Sequence, residues 1–371
     1  MRKIVQWLNE SAYIAPLSLA CKMCAEGSKM VVVATGLCPS QCFYCPLSFK
    51  KGGKDCVYAD EWELQNEHDT EKLIHEAEYI NATGAGITGG DPLLVWQRVK
   101  HYISLLKNMF GDTFHIHLYT SGLKHVDHIP DLISAGLDEI RFHPMPLFWD
   151  NMDNSPLSHA VKTLTELDVD VALEIPVIPG MEQQMISLIR WADEVRVNWV
   201  NLNELEFSER NCDALSEKGF SVKDEISAAV KGSQEAAVYV LNKVATEDLD
   251  VGVHYCSVSF KDGVQLSNRI KRRAQNVAKS YEIISDEGTL IKGVIYSATT
   301  SAKELYAVLR RQYEIPEKFL FLDKEKNRVE IGLWILETIA PALKKQAYEC
   351  YMVEEYPTAD RLEVERAPLP L

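Results

Sequence analysis

Three cysteines in "GLCPSQCFYCPLS", residues 36–48, are spaced Cys38-x3-Cys42-x2-Cys45. A structural zinc site needs four closing ligands, usually as two separated pairs, and one loop of three thiols does not supply them. Three thiolates suit a [4Fe–4S] cubane that leaves one iron open to a substrate or cofactor. The bland alternative is a chance cluster of buried or zinc-binding thiols. The chain holds nine cysteines, with six of them before residue 57. An odd count, crowded to one end, argues against a disulfide framework and for metal or redox chemistry.

The elements that must position this loop follow a regular pattern. "MVVVATG" (30–36) reads as a buried strand that ends at the cysteines. Beyond it, helical apolar spacing alternates with short strands: "GAGITGG" (84–90), "FHIHLYTSG", "LDEIRFHP", "DVDVALEIPVIPG" and "NWVNLNELEF". Six such β-then-α units predict an α/β fold with a parallel sheet, closed only part of the way, as a partial (β/α)6 barrel. In such folds the chemistry lies at the strand C-terminal ends. The cysteine loop, "TGGDP", "YTSG", "RFHP", "PVIPG" and "NLNELEFSE" all fall there. "GAG" (84–86) lacks the spacing of a nucleotide loop.

With the cysteine loop and these rim segments together, the chain resembles the radical S-adenosylmethionine superfamily. Within it the resemblance leans to the pyruvate formate-lyase activating enzyme-like branch, including an archaeal group with "ATGLCPSQCFYCP" and "TGGDP" signatures. The resemblance covers about residues 29–210. It implies that Cys38, Cys42 and Cys45 ligate a [4Fe–4S] cluster whose open iron chelates S-adenosylmethionine. One electron, from a ferredoxin- or flavodoxin-type donor, then yields a 5′-deoxyadenosyl radical that abstracts hydrogen from a substrate. Tyr44 corresponds to the aromatic residue near the adenine, and Gly89, Gly90, Asp91 and Pro92 to the segment that receives the methionine amino group. Here Asp91 replaces the family's Glu. Ser121 stands for an Asn near the cofactor, Arg141 and His143 face its ribose or carboxylate, and Ile178 and Gly180 line the adenine. The substrate is left open between a protein or peptide, RNA and a small metabolite. A non-catalytic iron–sulfur or zinc scaffold is the alternative to an enzyme.

Other signals are weaker. Cys21-x2-Cys24 is half of a metal site that His254, Cys256 or Cys56 could complete, or a pair of plain thiols. Cys256 reads as core; Cys212 and Cys350 read as ordinary residues. Glu204 and Glu206 either meet a substrate or pair with Arg141 or Lys50. His115 and His117 share a strand face and carry no metal assignment. Arg269–Arg273 ("RIKRR") with Lys279 is a candidate RNA contact or a solvated helix face.

The net charge of −15 repels a phosphate backbone overall. No apolar run reaches the ~18–20 residues of a membrane span. Asn9 and Glu10 interrupt a weak signal-peptide likeness, so a cytoplasmic protein is expected. The domain reading is an N-terminal extension over 1–28, the barrel over 29–245, a connecting strand and basic stretch over 246–280, and a small α+β domain over 281–371.

Overall fold

The computed structural model describes residues 2–369. Met1 of the expected extension and residues 370–371 of the expected C-terminal domain lie outside the described residues. Two compact units are present. One runs to Glu78 and resumes over Ala82–Leu266; the other comprises Tyr79–Asn81 and the chain from Ser267 on.

The first unit opens with β1 (Ile4–Gln6), β2 (Ala12–Ile14) and α1 (Leu19–Ala25). There follow β3 (Lys29–Thr35), β4 (Tyr58–Ala59), β5 (Trp62–Glu63) and α2 (Thr70–Tyr79). The alternation continues through β6 (Gly84–Gly89), α3 (Trp96–Phe110), β7 (His115–Thr120), α4 (Ile129–Ser134), β8 (Glu139–Phe142) and α5 (Ser158–Leu164). It ends with β9 (Asp170–Val177), α6 (Glu182–Glu194), β10 (Trp199–Glu204), α7 (Cys212–Glu217), α8 (Ser233–Val244) and β11 (Gly252–Cys256). The sheet order is β1-β2-β11-β10-β9-β8-β7-β6-β3-β4-β5. From β3 to β11 every neighbour is parallel. Antiparallel strands cap both ends, so the barrel stays open. The connecting strand at Gly252–Cys256 is thus a seventh parallel strand, paired to β10.

The strands alternate in an unusual way for parallel β-structure, which is normally apolar on both faces. On the helix side, Ile87, Leu118, Ile140, Leu173, Leu202 and Val253 are fully buried. They meet helices such as α3, whose buried Val99, Tyr102, Ile103 and Leu106 fall at i, i+3, i+4 and i+7. Each such side chain contributes about 1.5–3 kcal/mol by leaving water. The intervening residues are polar: His115, His117, Glu139, Arg141, Glu174, Asn201 and His254. Register places them in rows, His117 beside Glu139, Glu174 beside Asn201, and Asn201 beside His254. Period-two alternation therefore gives this barrel an apolar jacket and a polar lumen.

One helix is shorter than its sequence pattern. Over 222–243 the helical spacing is continuous, yet α8 begins only at Ser233. Gly232, at φ +90°, breaks the helical path, and the Asp224 carboxylate accepts the amides of Ile226 and Ser227 to make a turn.

The second unit carries an antiparallel sheet in the order 320–323, 328–331, 290–296, 349–355, 363–368, with 283–284 paired to 290–296. Strands 283–284 and 290–296 form one hairpin and 320–323 and 328–331 another. Helices Ala302–Gln312 and Leu333–Lys344 bury Leu305, Leu309, Leu336 and Leu343 against Ile295, Val329 and Ile331. Elsewhere in this unit lies a buried charge cluster centred on Lys292 and Arg328. Among the described residues no helix is long and apolar enough to cross a membrane.

Candidate active site

β3 delivers the chain to the C-terminal rim, and Gly36 anchors the cysteine loop there, donating to Lys54 O at 2.9 Å and accepting from Gly53 N at 2.8 Å. Cys45 N donates to Cys42 O at 3.1 Å, and Ser40 N donates to the Cys38 sulfur at 3.4 Å. All nine cysteines are free. Burial raises the Cys38 and Cys42 thiols above the ordinary thiol range, a cost that bonding to a metal removes.

The three thiols stand at the edge of a cavity of about 530 Å³, which also takes in Tyr44, Gly89, Gly90, Ser121 and His143. Five of the ten expected cofactor residues are thus brought together with the cysteines. Gly89 has φ +131°, and a Cβ on Gly90 would lie 2.0 Å from Leu37 O. Only glycine allows the second strand end to lie this close to the cysteine loop. Free soft donors, beside backbone bared by two glycines, fit a cluster with a chelated cofactor.

Tyr44 is held from both ends. Its hydroxyl lies 2.9 Å from His143 Nε2, and His143 Nδ1 lies 2.7 Å from Glu174 O. A carbonyl can only accept, so Nδ1 carries the proton and Nε2 accepts from the tyrosine. Burial lowers the His143 pKa, which keeps this neutral form. Asn211 Nδ2 donates to Tyr44 O at 3.1 Å and to Glu206 O at 3.0 Å, tying the cysteine loop to the loop after β10.

The other expected residues lie around the cavity. Asp91 and Pro92 are buried behind it, Asp91 as an N-cap that accepts from Leu93 N. Ile178 is buried beyond the end of β9, whose Ile175 and Pro176 do line the cavity, and Gly180 is exposed at its turn. Arg141 faces a second, inner cavity and is ion-paired to Glu139 at 2.6 Å and Glu174 at 2.9 Å. Burial opposes its charge, yet Glu139 and its other neighbours hold its pKa well above the ordinary value.

Glu206 pairs with neither Arg141 nor Lys50. It meets Lys261 at 3.3 Å, while Lys50 meets Glu63 at 2.9 Å. Glu204 accepts from Val258 N at 2.7 Å. Sequence reasoning missed Glu174, Asn203, Asn211 and Lys261. Glu174 and Asn203 lie on the polar beat of β9 and β10, with Asn203 Nδ2 donating to Glu174 Oε1 at 2.7 Å, and that beat was a usable signal. Asn211 and Lys261 reach the site only through tertiary placement.

The fold and the rim loops define a partial-barrel enzyme built around a three-cysteine loop, and comparisons with known proteins agree. The radical SAM superfamily matches residues 32–144, and a domain of unknown function, DUF8061, matches residues 288–369. A protein of Methanocaldococcus jannaschii, MJ0021, bears the provisional name of a glycyl-radical enzyme activating enzyme. It is 38% identical over 378 residues, covering 100% of this chain and 96% of its own. The chain therefore belongs to the radical S-adenosylmethionine superfamily, whose enzymes use a [4Fe–4S] cluster and S-adenosylmethionine.

Two crystal structures of Streptococcus suis SuiB are also similar. One is bound to S-adenosylmethionine (10% identity, TM-score 0.41, 61% of this chain and 49% of that one). The other is bound to the precursor peptide SuiA (11% identity, TM-score 0.43, 69% and 52%). The chain spans about half the length of these solved proteins.

Proposed function

We propose that this protein is an activating-type radical enzyme that takes a hydrogen atom from a protein substrate. The observation that carries this is the trio of free thiols opening onto a cavity floored by Gly89–Gly90 and continuing into a polar lumen. Cys38, Cys42 and Cys45 would hold the [4Fe–4S] cluster, which when bound supplies the electron that cleaves S-adenosylmethionine. Gly89, Gly90 and Ser121 receive the cofactor's amino acid end, and Asp91 and Pro92 hold that segment in place. Tyr44, Ile175 and Pro176 offer the adenine an aromatic and aliphatic wall just ahead of Ile178 and Gly180. His143 fixes Tyr44. The reduced donor is of the ferredoxin or flavodoxin type.

A protein substrate is favoured over RNA by two observations. The full-length relative carries an activating-enzyme name. The basic stretch is engaged inside the second unit: Arg272 donates to Ile80 O at 2.7 Å, and buried Arg273 donates to Pro357 O.

The test is anaerobic reconstitution, reduction and assay of 5′-deoxyadenosine. Cleavage in the wild type that vanishes in Cys42→Ala is expected; no cleavage under strong reductant leaves only the scaffold reading. A soluble extract should stimulate turnover, with the stimulation destroyed by trypsin and untouched by ribonuclease. The opposite sensitivity transfers the substrate to RNA.

A further inference from the structure

The motif that the cysteine-loop site leaves unused is Cys21-x2-Cys24. Ser18 caps α1 by accepting from Ala20 N and also donates to Glu139 at 2.8 Å, which anchors the helix against the barrel. Positions i and i+3 share a helix face, and here both thiols line an inner cavity of about 230 Å³. Cys256 and His254, from β11, line the same cavity, whereas Cys56 does not. Of the three groups that could complete the sequence motif, two are brought to it from more than 200 residues away.

His254 is the independent sign that this cavity holds something. It is 3% exposed, and neither of its ring nitrogens has a hydrogen-bond partner. A buried imidazole with both nitrogens unpaired is costly unless a ligand or metal uses one of them. Arg141 lies 3.6 Å from the Cys21 sulfur, and Lys261 also lines the space, so positive charge stands beside the thiols.

Spacing selects the kind of metal. Four ligands on one zinc, each sulfur 2.3 Å away, bring sulfurs within about 3.8 Å of one another. Among the described residues no three of these donors lie within 4.8 Å of one another, and the same holds for Cys38, Cys42 and Cys45. That arrangement is wider than the donors of one zinc adopt, whereas the thiolates of a cubane each take a different iron.

We propose that Cys21, Cys24, Cys256 and His254 ligate a second, auxiliary iron–sulfur cluster in the barrel lumen. The two cavities share Tyr119, Glu174, Asn203 and Lys261, so this cluster lies directly beside the cofactor space. With four protein ligands it offers no open iron to a substrate.

Metal content tests this without relying on turnover. Wild type reconstituted anaerobically with iron and sulfide should hold about eight irons per chain, and Cys21→Ser/Cys24→Ser about four. The triple variant Cys38→Ala/Cys42→Ala/Cys45→Ala should also keep about four, in a reduced-state EPR signal that S-adenosylmethionine does not alter. Should the cysteine loop hold no cluster, the wild type carries about four irons that survive in the triple variant and are lost with Cys21 and Cys24, which separates that failure from failure of this proposal. Cys256→Ser repeats the test should the double variant misfold, with circular dichroism as the fold control. Iron-free protein in the cysteine-loop triple variant overturns the proposal. So does a wild type with about four irons and one equivalent of zinc that disappears with Cys21 and Cys24.

Discussion

Asp91 is fully buried and accepts hydrogen bonds from Leu93 N at 3.1 Å, Thr120 Oγ1 at 2.7 Å, Ser121 N at 3.2 Å and Ser121 Oγ. Its carboxylate caps the turn after β6 and fastens it to the end of β7, so it fixes Gly90 and Ser121 without entering the cavity. Asp91→Ala strands these donors and should cost about 2 kcal/mol, read as a lower midpoint in urea unfolding, with a weaker KM for S-adenosylmethionine. An unchanged midpoint would show that the network is slack. His143 acts similarly through Tyr44. His143→Phe keeps the bulk and removes the acceptor, and we expect a fall of about 10–100-fold in 5′-deoxyadenosine formation with iron content kept. Loss of the iron instead would mean that His143 shapes the cysteine loop itself.

At the scale of elements, the parallel strands act as rulers that set which loops meet at the rim. One close approach is between the segment after β6 and the cysteine loop, where a Cβ on Gly90 would meet the Leu37 carbonyl carbon at 2.5 Å as well as its oxygen. Backbone cannot swing aside as a side chain can, so Gly90→Ala should cost about 1–3 kcal/mol and displace the cysteines, seen as reduced iron uptake on reconstitution. Full uptake would place the strain elsewhere. This region was legible in the sequence because local signals specify it: three cysteines at fixed spacing, paired glycines and a repeating strand-then-helix period. The polar lumen was less legible. Glu174 and Asn203 follow the strand alternation, but parallel strands are expected to be apolar throughout, which hid them. The start of α8 was not legible because periodicity is blind to the positive φ of Gly232. Lys261 and Asn211 have no local signature, since their partners, Glu206 and the Tyr44 backbone, are set only when the barrel forms.

On the scale of the whole molecule, both units bury charge, with different consequences. In the second unit Lys292, 1% exposed, meets Glu330 and Glu355 at 2.7 Å each and Glu282 at 3.2 Å. Lys292→Met leaves three carboxylates short of a cation and should cost about 3–5 kcal/mol, measurable as early chemical unfolding; a neutral effect would mean that Arg328 and Arg361 suffice. In the first unit the buried groups include histidines held neutral. Burial, aided by nearby Lys29 or Arg141, brings His115 to about 4 and His254 to about 3, and His117 well below 6.5; burial also lowers His143. The unfolded chain protonates these rings as pH falls through 6.5 while the folded chain does not, so the stability that depends on them is complete above 6.5 and drains away below it. Burial raises Asp170 to about 6 and Asp262 above its ordinary value, so these two carboxyls take up protons when folded and oppose the trend. Four imidazoles outnumber the two carboxyls, so the net trend keeps the sign set by the histidines and stability falls as pH drops below 6.5. Against a total of about 5–15 kcal/mol, a loss carried by several histidines at once predicts marked acid destabilisation of the barrel. Urea midpoints taken between pH 7 and 4.5 should decline steadily, and His254→Phe should flatten the decline by about one proton. A midpoint independent of pH over that window would mean that the lumen histidines are already charged or already relieved by a bound metal, and titrating metal-depleted protein separates those two cases.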